Sequence, residues 1–493
     1  MAVAIKQIKW LYHEFGLDSL YETGRDAWLI ILARSCRMFA FGTSSLILAL
    51  FFAKLKFTDY QIGLFMSLTL VGDVGLTLAL TMIADRAGRR LILFGGSVLM
   101  ILSGAIFALF ENFWLLLFAA VIGVISITGR DFGPFRSIEE STLSQLTTPK
   151  TRPDILAWYV TIASLGSSIG SEASGRIVHQ LQNLDGWTLT DAYHAVFWLY
   201  SIMGAVNIIF ILLLSKKCEV PEEEPRTVEN EILLNDRNSN GEADEDDDDT
   251  TSEPTVVAEE PPSKPKRQGL FSMISKETRW IMYKLWFLLI VDSLADGMTP
   301  YSLTTYYMDQ KFHMKTSTLG DVMSVSYFLS ATSTVFAGPL SHRLGLINTM
   351  VFTHIPSSAA VLLFPTPNAL WLTVVLLFVR TGLNNMDQAP RAAFIAAVVK
   401  PEERTAVMGI TSMLRTLAAT AGPSVTGILA GNNRFWVAFV AAGALRLAYD
   451  FGLWAMFVNM KLYQHEENQD GPKPDPDQRR LGDEEEMTEM QKP

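Results

Sequence analysis

Two aspartates, Asp292 and Asp296, stand four residues apart inside an apolar run, a spacing that puts both carboxylates on one face of a helix. Where water is scarce, two such groups repel and one holds its proton more tightly. The pair is then either a proton carrier or a cation site, the plainer alternative being a solvated pair that keeps a cavity wet. Arg34 and Arg37, three apart in another apolar run, are two fixed cations facing one way. Further runs hold Asp73, Glu172, Arg380, Arg415 and the pair Arg446 and Asp450. Charges within lipid-length apolar sequence are costly and by default face a bundle interior or a wet cavity. Glu172 and Asp73 either relay protons or bond to hydroxyls one turn away, on Ser168 and Thr77. Arg380 and Arg415 either contact a bound solute or form interhelical ion pairs. Arg446 and Asp450, four apart, are read as a structural pair that satisfies itself.

The elements that hold these groups are apolar stretches of about 20 residues, the length an α-helix needs to cross a bilayer core. Six fall at 27–52, 62–84, 91–110, 113–132, 155–177 and 195–214, and six more at 280–307, 319–340, 347–364, 369–388, 406–430 and 435–458. Between the sets lies a polar stretch too poor in apolar residues to offset the entropy of ordering. The fold class expected is an all-α integral membrane protein, twelve transmembrane helices in two six-helix bundles. Its parts are an N-terminal segment at 1–26, bundles at 27–215 and 280–460, an acidic linker at 216–279 and an acidic tail at 461–493. The first 26 residues read as a partly amphipathic segment along the membrane surface, without the apolar core of a signal peptide, so the first span serves as its own insertion signal. Pro300 and Pro423 are expected to bend their helices.

Charge is distributed unevenly. The chain carries −11 overall, yet 219–267 holds 17 acidic and 5 basic residues and 461–493 holds 10 and 5, so the apolar body is net positive by about 6. Most lysines and arginines sit in the turns at 85–90, 136–152, 216–267, 342–343 and 400–404, while the turns at 111–112, 178–193 and 365–368 have none. Positive charge accumulates on the cytoplasmic side, so both termini and the linker are expected there. The linker run Glu242 to Glu253 suits an acidophilic kinase or cytoplasmic regulators, or is a solvated spacer. Two cysteines, Cys36 and Cys218, give no disulfide framework. Seven histidines without ligand spacing and the lack of a phosphate-cradling Gly-x-x-x-x-Gly-Lys argue against a metal, a cofactor, or ATPase or hydrolase chemistry.

The halves repeat each other. Gly63 precedes Asp85 by the interval separating Gly320 from His342, and Asp85-Arg86-Ala87-Gly88 aligns with His342-Arg343-Leu344-Gly345. Pro149-x-x-Arg152 and Pro401-x-x-Arg404 precede Gly170 and Gly422 by equal intervals, and Gly170-x-x-x-x-Gly175 answers Gly422-x-x-x-x-Gly427. Duplicated bundles of this kind build a midplane site in many secondary transporters.

The chain resembles the major facilitator superfamily over all twelve spans. The motif after the second span of that family is matched by Asp85, Arg86, Gly88, Arg89 and Arg90, with Thr81 where the family has glycine. The second half matches only at Gly338, Arg343 and Gly345. Asp387-Gln388-Ala389-Pro390-Arg391 is similar to a tenth-span signature of export-type members, with Asp131-Phe132-Gly133-Pro134-Phe135-Arg136 as its first-half counterpart. Ser171 stands where the family's antiporter motif has proline. The resemblance implies that the turn at 81–90 latches the outward-open state, the plainer alternative being charges that only set topology, and Arg136 is expected to partner Asp85. It also implies that spans one and seven line a shared cavity, where Arg34 and Arg37 either bind an anionic cargo or neutralise Asp292 and Asp296. Asp387 and Arg391 join the candidate substrate or proton sites.

The function expected is a secondary active transporter, proton coupled and exporting a small solute. Alternatives are proton-coupled uptake of an anionic nutrient, or a non-transporting membrane receptor using its acidic segments. The expected partners are a small solute, protons and the lipid bilayer of the plasma or an internal membrane, and no nucleic acid. No enzyme activity is expected.

Overall fold

The computed structural model describes residues 23–123, 134–148, 151–219, 275–399 and 403–458. The N-terminal segment before residue 23, the body of the acidic linker, the tail and Asp131 lie outside the described residues. Among the described residues there are fifteen α-helices and no strands. The first half comprises α1 (Arg25–Lys54), α2 (Asp59–Ala87), α3 (Arg89–Leu109), α4 (Phe113–Ile122), α5 (Pro134–Leu146), α6 (Arg152–Gln182) and α7 (Leu189–Leu212). The second comprises α8 (Lys276–Met298), α9 (Tyr301–Phe312), α10 (Thr316–Leu344), α11 (Leu346–Leu363), α12 (Leu370–Asn384), α13 (Gln388–Val398), α14 (Arg404–Gly431) and α15 (Phe435–Phe457).

Hydrogen bonds fix which ends lie together. Asp26 at the start of α1 accepts from Ser215 just after α7, and Gln145 near the end of α5 donates to the carbonyls of Lys217 and Glu219. Ser275 before α8 donates to Glu403 before α14. This is the linker end. At the opposite, hairpin end, Lys311 donates to the carbonyls of Pro365 and Pro367, and Tyr306 of the second half donates to Asp59 of the first at 2.7 Å.

The repeat seen in sequence is repeated in packing. Gly170 and Gly422 do the same work: a Cβ on either would strike backbone, Phe39 O in one case and Gly297 C in the other, so each lets its helix press against the first span of its own half. Their partners one and a half turns on, Gly175 and Gly427, touch the opposite half instead, against Gly320 and Gly63. Gly88 and Gly345 hold φ of 96° and 83°, strained for any side chain, and both turn the chain from the second span of a half into the third. Each half also packs an aromatic cluster toward the hairpin end. Phe51, Phe52, Phe65, Phe107 and Phe197 form one, and Tyr307, Phe364, Phe435 and Phe439 the other.

Three local features depart from the sequence reading. The seventh span does not merely bend at Pro300: α8 ends at Met298 and a new helix begins at Tyr301, because proline has no N–H to continue the ladder. The tenth span likewise divides at 385–387. Residues 134–146, which fall mostly within the turn expected at 136–152, form a helix with a buried face, including Phe135, Ile138 and Leu143.

Candidate functional site

A buried group of ionisable side chains fills the second half where five helices converge. Asp292 and Asp296 come from α8, His354 from α11, Asn384 and Arg391 from α12 and α13, and Arg446 and Asp450 from α15. Asp387 sits at the cap of α13. At its centre, His354 Nδ1 lies 2.6 Å from Asp450 Oδ1 and Nε2 lies 2.7 Å from Arg446 Nη2. Ser358 donates to the second oxygen of Asp450 at 2.7 Å. Arg446 also donates to Asn384 and stands 3.4 Å from Asp296 Oδ1. Asp292 is 3.9 Å from His354 Nε2 and 3.9 Å from Arg391, which in turn donates to Asp387. Arg446 and Asp450 are fully buried. Charges at such depth are tolerated only in company.

Beside this cluster a cavity opens between the halves, lined mainly by α8, α12 and α14, with Leu70 contributed by α2. The break in the seventh span shapes its wall. The chain leaves helical geometry at Thr299 and Pro300, and Arg380 occupies the gap, donating to the Thr299 carbonyl and to the hydroxyls of Thr299 and Thr304. Arg415 donates to Ser293 Oγ at 3.2 Å, and both line the cavity, as do Asp296, Asn384 and Tyr301.

The structure brings together eight of the residues singled out in sequence, namely Asp292, Asp296, Arg380, Asp387, Arg391, Arg415, Arg446 and Asp450. Arg34 and Arg37 do not neutralise Asp292 and Asp296. Arg37 bonds to Glu139 at 2.6 Å, Tyr159 donates to the same carboxylate at 2.8 Å, and the two guanidinium groups lie over the rings of Tyr159 and Phe135. Glu139 was hidden because its helix read as a cytoplasmic turn. Arg446 and Asp450 share a helix face but do not pair. Each reaches across to His354, which is the other residue sequence spacing missed; a lone histidine within an apolar span was the available signal. Arg415 donates to a serine hydroxyl and Arg380 to threonine oxygens. Glu172 accepts from Arg176, which bridges the halves to Asp321, while Ser168 bonds to Ser324 rather than to Glu172. Asp73 is half-buried on α2, one turn from Leu70.

At the linker end, Arg89 and Arg90 open α3, and the carboxylate of Glu219 accepts from their two backbone N–H groups at 2.7 and 3.2 Å. Arg89 also donates to Gln145. Arg136 bonds to Glu140 at 2.7 Å, and Arg343 is exposed. The side chains of Asp85, Arg86 and His342 lie outside the described residues.

The family model described as Major Facilitator Superfamily matches residues 30–282 and 285–486. An uncharacterized membrane protein of Saccharomyces cerevisiae, YJR124C, is 33% identical over 439 residues, covering 88% of this chain and 95% of that protein. Among solved structures, the xylose transporter XylE from E. coli in an inward-open conformation aligns with a TM-score of 0.63 at 12% identity, over 90% of this chain and 99% of that one. The nucleoside transporter NupG gives 0.61 at 13% identity over 89% and 100%. The human organic anion transporter MFSD10 gives 0.52 at 17% identity over 88% and 99%.

Proposed function

The chain belongs to the major facilitator superfamily, a multi-pass membrane transporter family, and we propose that it is a secondary active transporter coupling a small solute to protons by alternating access. The observation that carries this reading is the buried cluster around His354 opening beside a cavity between two repeated halves. A guanidinium only donates, so His354 accepts from Arg446 at Nε2 and donates from Nδ1 to Asp450, which makes it neutral. A proton arriving at Nε2 displaces Arg446 and meets Asp292 instead, 3.9 Å away. That exchange rewires contacts among three helices, α8, α11 and α15, the kind of two-state element by which a proton biases a packing equilibrium.

The positive-inside bias supports cytoplasmic termini. With that orientation the halves meet at their extracellular ends, through Gly63 with Gly427, Gly175 with Gly320, and Ser45 with Tyr327, which is an inward-facing arrangement. The motif at 85–90, together with Arg343 and Gly345, is read as the switch that the rocking motion makes and breaks. The likeness of 387–391 to export-type members supports export. A second reading, proton-coupled uptake of an anion, is supported by Arg380 and Arg415 on the cavity wall. Proteoliposomes with the full chain and an imposed pH gradient test the coupling. Flux should follow the gradient in the native protein and lose that dependence in His354→Gln. Gradient-driven flux undiminished in His354→Gln and in Asp292→Asn/Asp296→Asn would sink the proton reading.

A further inference from the structure

Arg415, half-buried on the cavity wall, stands apart from the buried arginines of the second half. Arg391 has Asp387 and Asp292, Arg446 has Asp296, His354 and Asn384, and Arg380 fills the gap at Thr299. Arg415 has one hydrogen bond, from Nε to the neutral Ser293 hydroxyl, and forms no ion pair among the described residues. Arg391 repels it, and Asp292 and Asp296, which attract it, are each held by another cation. Its two terminal nitrogens, which carry the fork of donors that matches a carboxylate or phosphate, are left for the cavity.

We infer that the cavity receives a small organic anion whose carboxylate, phosphate or sulfonate oxygens accept hydrogen bonds from Arg415. This rests on the transporter reading and names its cargo class. The wall around Arg415 suits such a molecule. Tyr301, Pro300, Leu70 and Ala419 offer an apolar surface for its body, while Asn384 and the hydroxyls of Thr381, Ser412 and Thr416 offer polar contacts. Charge balance gives the proposal a second consequence. Asp292, Asp296, Asp387 and Asp450 oppose Arg380, Arg391, Arg415 and Arg446, so the region is neutral while His354 is neutral. A bound monoanion leaves it one negative charge in excess, and one proton on His354 restores neutrality. Anion and proton therefore bind cooperatively, and a monoanion crosses with one proton and no net charge.

The test uses the full chain in liposomes, incubated with a defined mixture of hydrophilic monocarboxylates, phosphate monoesters, sulfonates, uncharged sugars and nucleosides, and amines. Retained solutes are identified by mass spectrometry against protein-free liposomes. The retained species are expected to be anions, their retention to fall about tenfold or more in Arg415→Gln, and Arg415→Lys to keep part of it. Thermal unfolding of each variant in detergent checks that it is folded. Should Arg415→Gln fail that check, Ser293→Ala, which frees Nε without removing the charge, must still retain anions. Retention confined to uncharged or cationic solutes, or anion retention unchanged in folded Arg415→Gln, overturns the inference while leaving transport intact. Retention of no member of the mixture by the native protein counts against the transporter reading itself, and the inference falls with it.

Discussion

His354 Nε2 lies 2.7 Å from Arg446 Nη2 while its Nδ1 lies 2.6 Å from Asp450, so one imidazole joins an arginine and an aspartate that stand one helical turn apart on another helix. The arrangement uses both ring nitrogens in opposite senses, one accepting and one donating. A side chain that donates at both positions cannot replace it.

Replacing Asp450 by Asn should therefore destabilise the protein by about 3–5 kcal/mol, the usual consequence of removing one partner from a buried charge network. His354→Gln should cost less, since its amide both accepts and donates. Thermal unfolding in detergent should rank the two in that order. A smaller loss in Asp450→Asn than in His354→Gln would contradict the assigned bonding.

The Arg37–Glu139 pair should show the same asymmetry in the first half. Arg37→Met alone leaves the buried Glu139 carboxylate without its guanidinium, and Glu139→Leu alone removes that carboxylate from a buried guanidinium. Each is expected to cost about 3–5 kcal/mol, and the double variant clearly less than the sum. Additive losses in unfolding measurements would mean that the two side chains are not coupled.

The glycine contacts between halves should behave as a wedge point. A Cβ at Gly427 would lie 2.7 Å from Asp59 O and 2.9 Å from Gly63 Cα, so Gly427→Val should push the hairpin ends apart. Spin labels on cysteines replacing the exposed Tyr60 and Asn432, in a background free of native cysteine, should report longer distances. Gly409→Ala meets open space and should leave the distribution unchanged. Equal distributions in Gly427→Val and the native sequence would show that this contact does not hold the ends together.

Cys218 offers a pH-dependent reporter at the linker end. Burial, with Asp26 and Glu219 nearby, pushes its thiol from 9.0 up to about 11. The docked segment favours the neutral thiol, so docking is complete below about pH 9 and weakens as pH rises through about 11. In a Cys36→Ser background, maleimide labelling should be slow at pH 7 and rise about tenfold per pH unit, following the thiolate fraction. Glu219→Gln weakens the hold on α3 and should speed labelling at constant pH. Fast labelling at pH 7 in the native sequence would show the segment undocked.

The membrane fold was legible because apolar runs and charged turns report it directly, and the repeat of Gly170 and Gly175 in Gly422 and Gly427 showed in the spacing alone. The breaks at Pro300 and at 385–387 were less so, since hydropathy continues across both. Partner choice was the hardest part. Spacing shows that Arg446 and Asp450 share a face, but which neighbouring helix meets that face is a tertiary fact, and His354 arrives from 92 and 96 residues away. Arg37 was misassigned for a related reason. Its carboxylate lies on a helix whose charges on one face masked a buried apolar stripe on the other.

The seam between the halves is built from small residues and hydroxyls, with Ser67 bonded to Ser424 and Ser168 to Ser324 where the glycines do not already touch. Mechanically this is a bearing rather than a lock. Each hydroxyl bond contributes about 1 kcal/mol net and exchanges readily for water, so few of them must be surrendered for the surfaces to slide. Preference for one arrangement over the other by about a hundredfold, or nearly 3 kcal/mol, is then enough leverage for a cargo to reset the seam. Tighter binding would bring no advantage, because the same energy has to be returned before the cargo can leave on the far side.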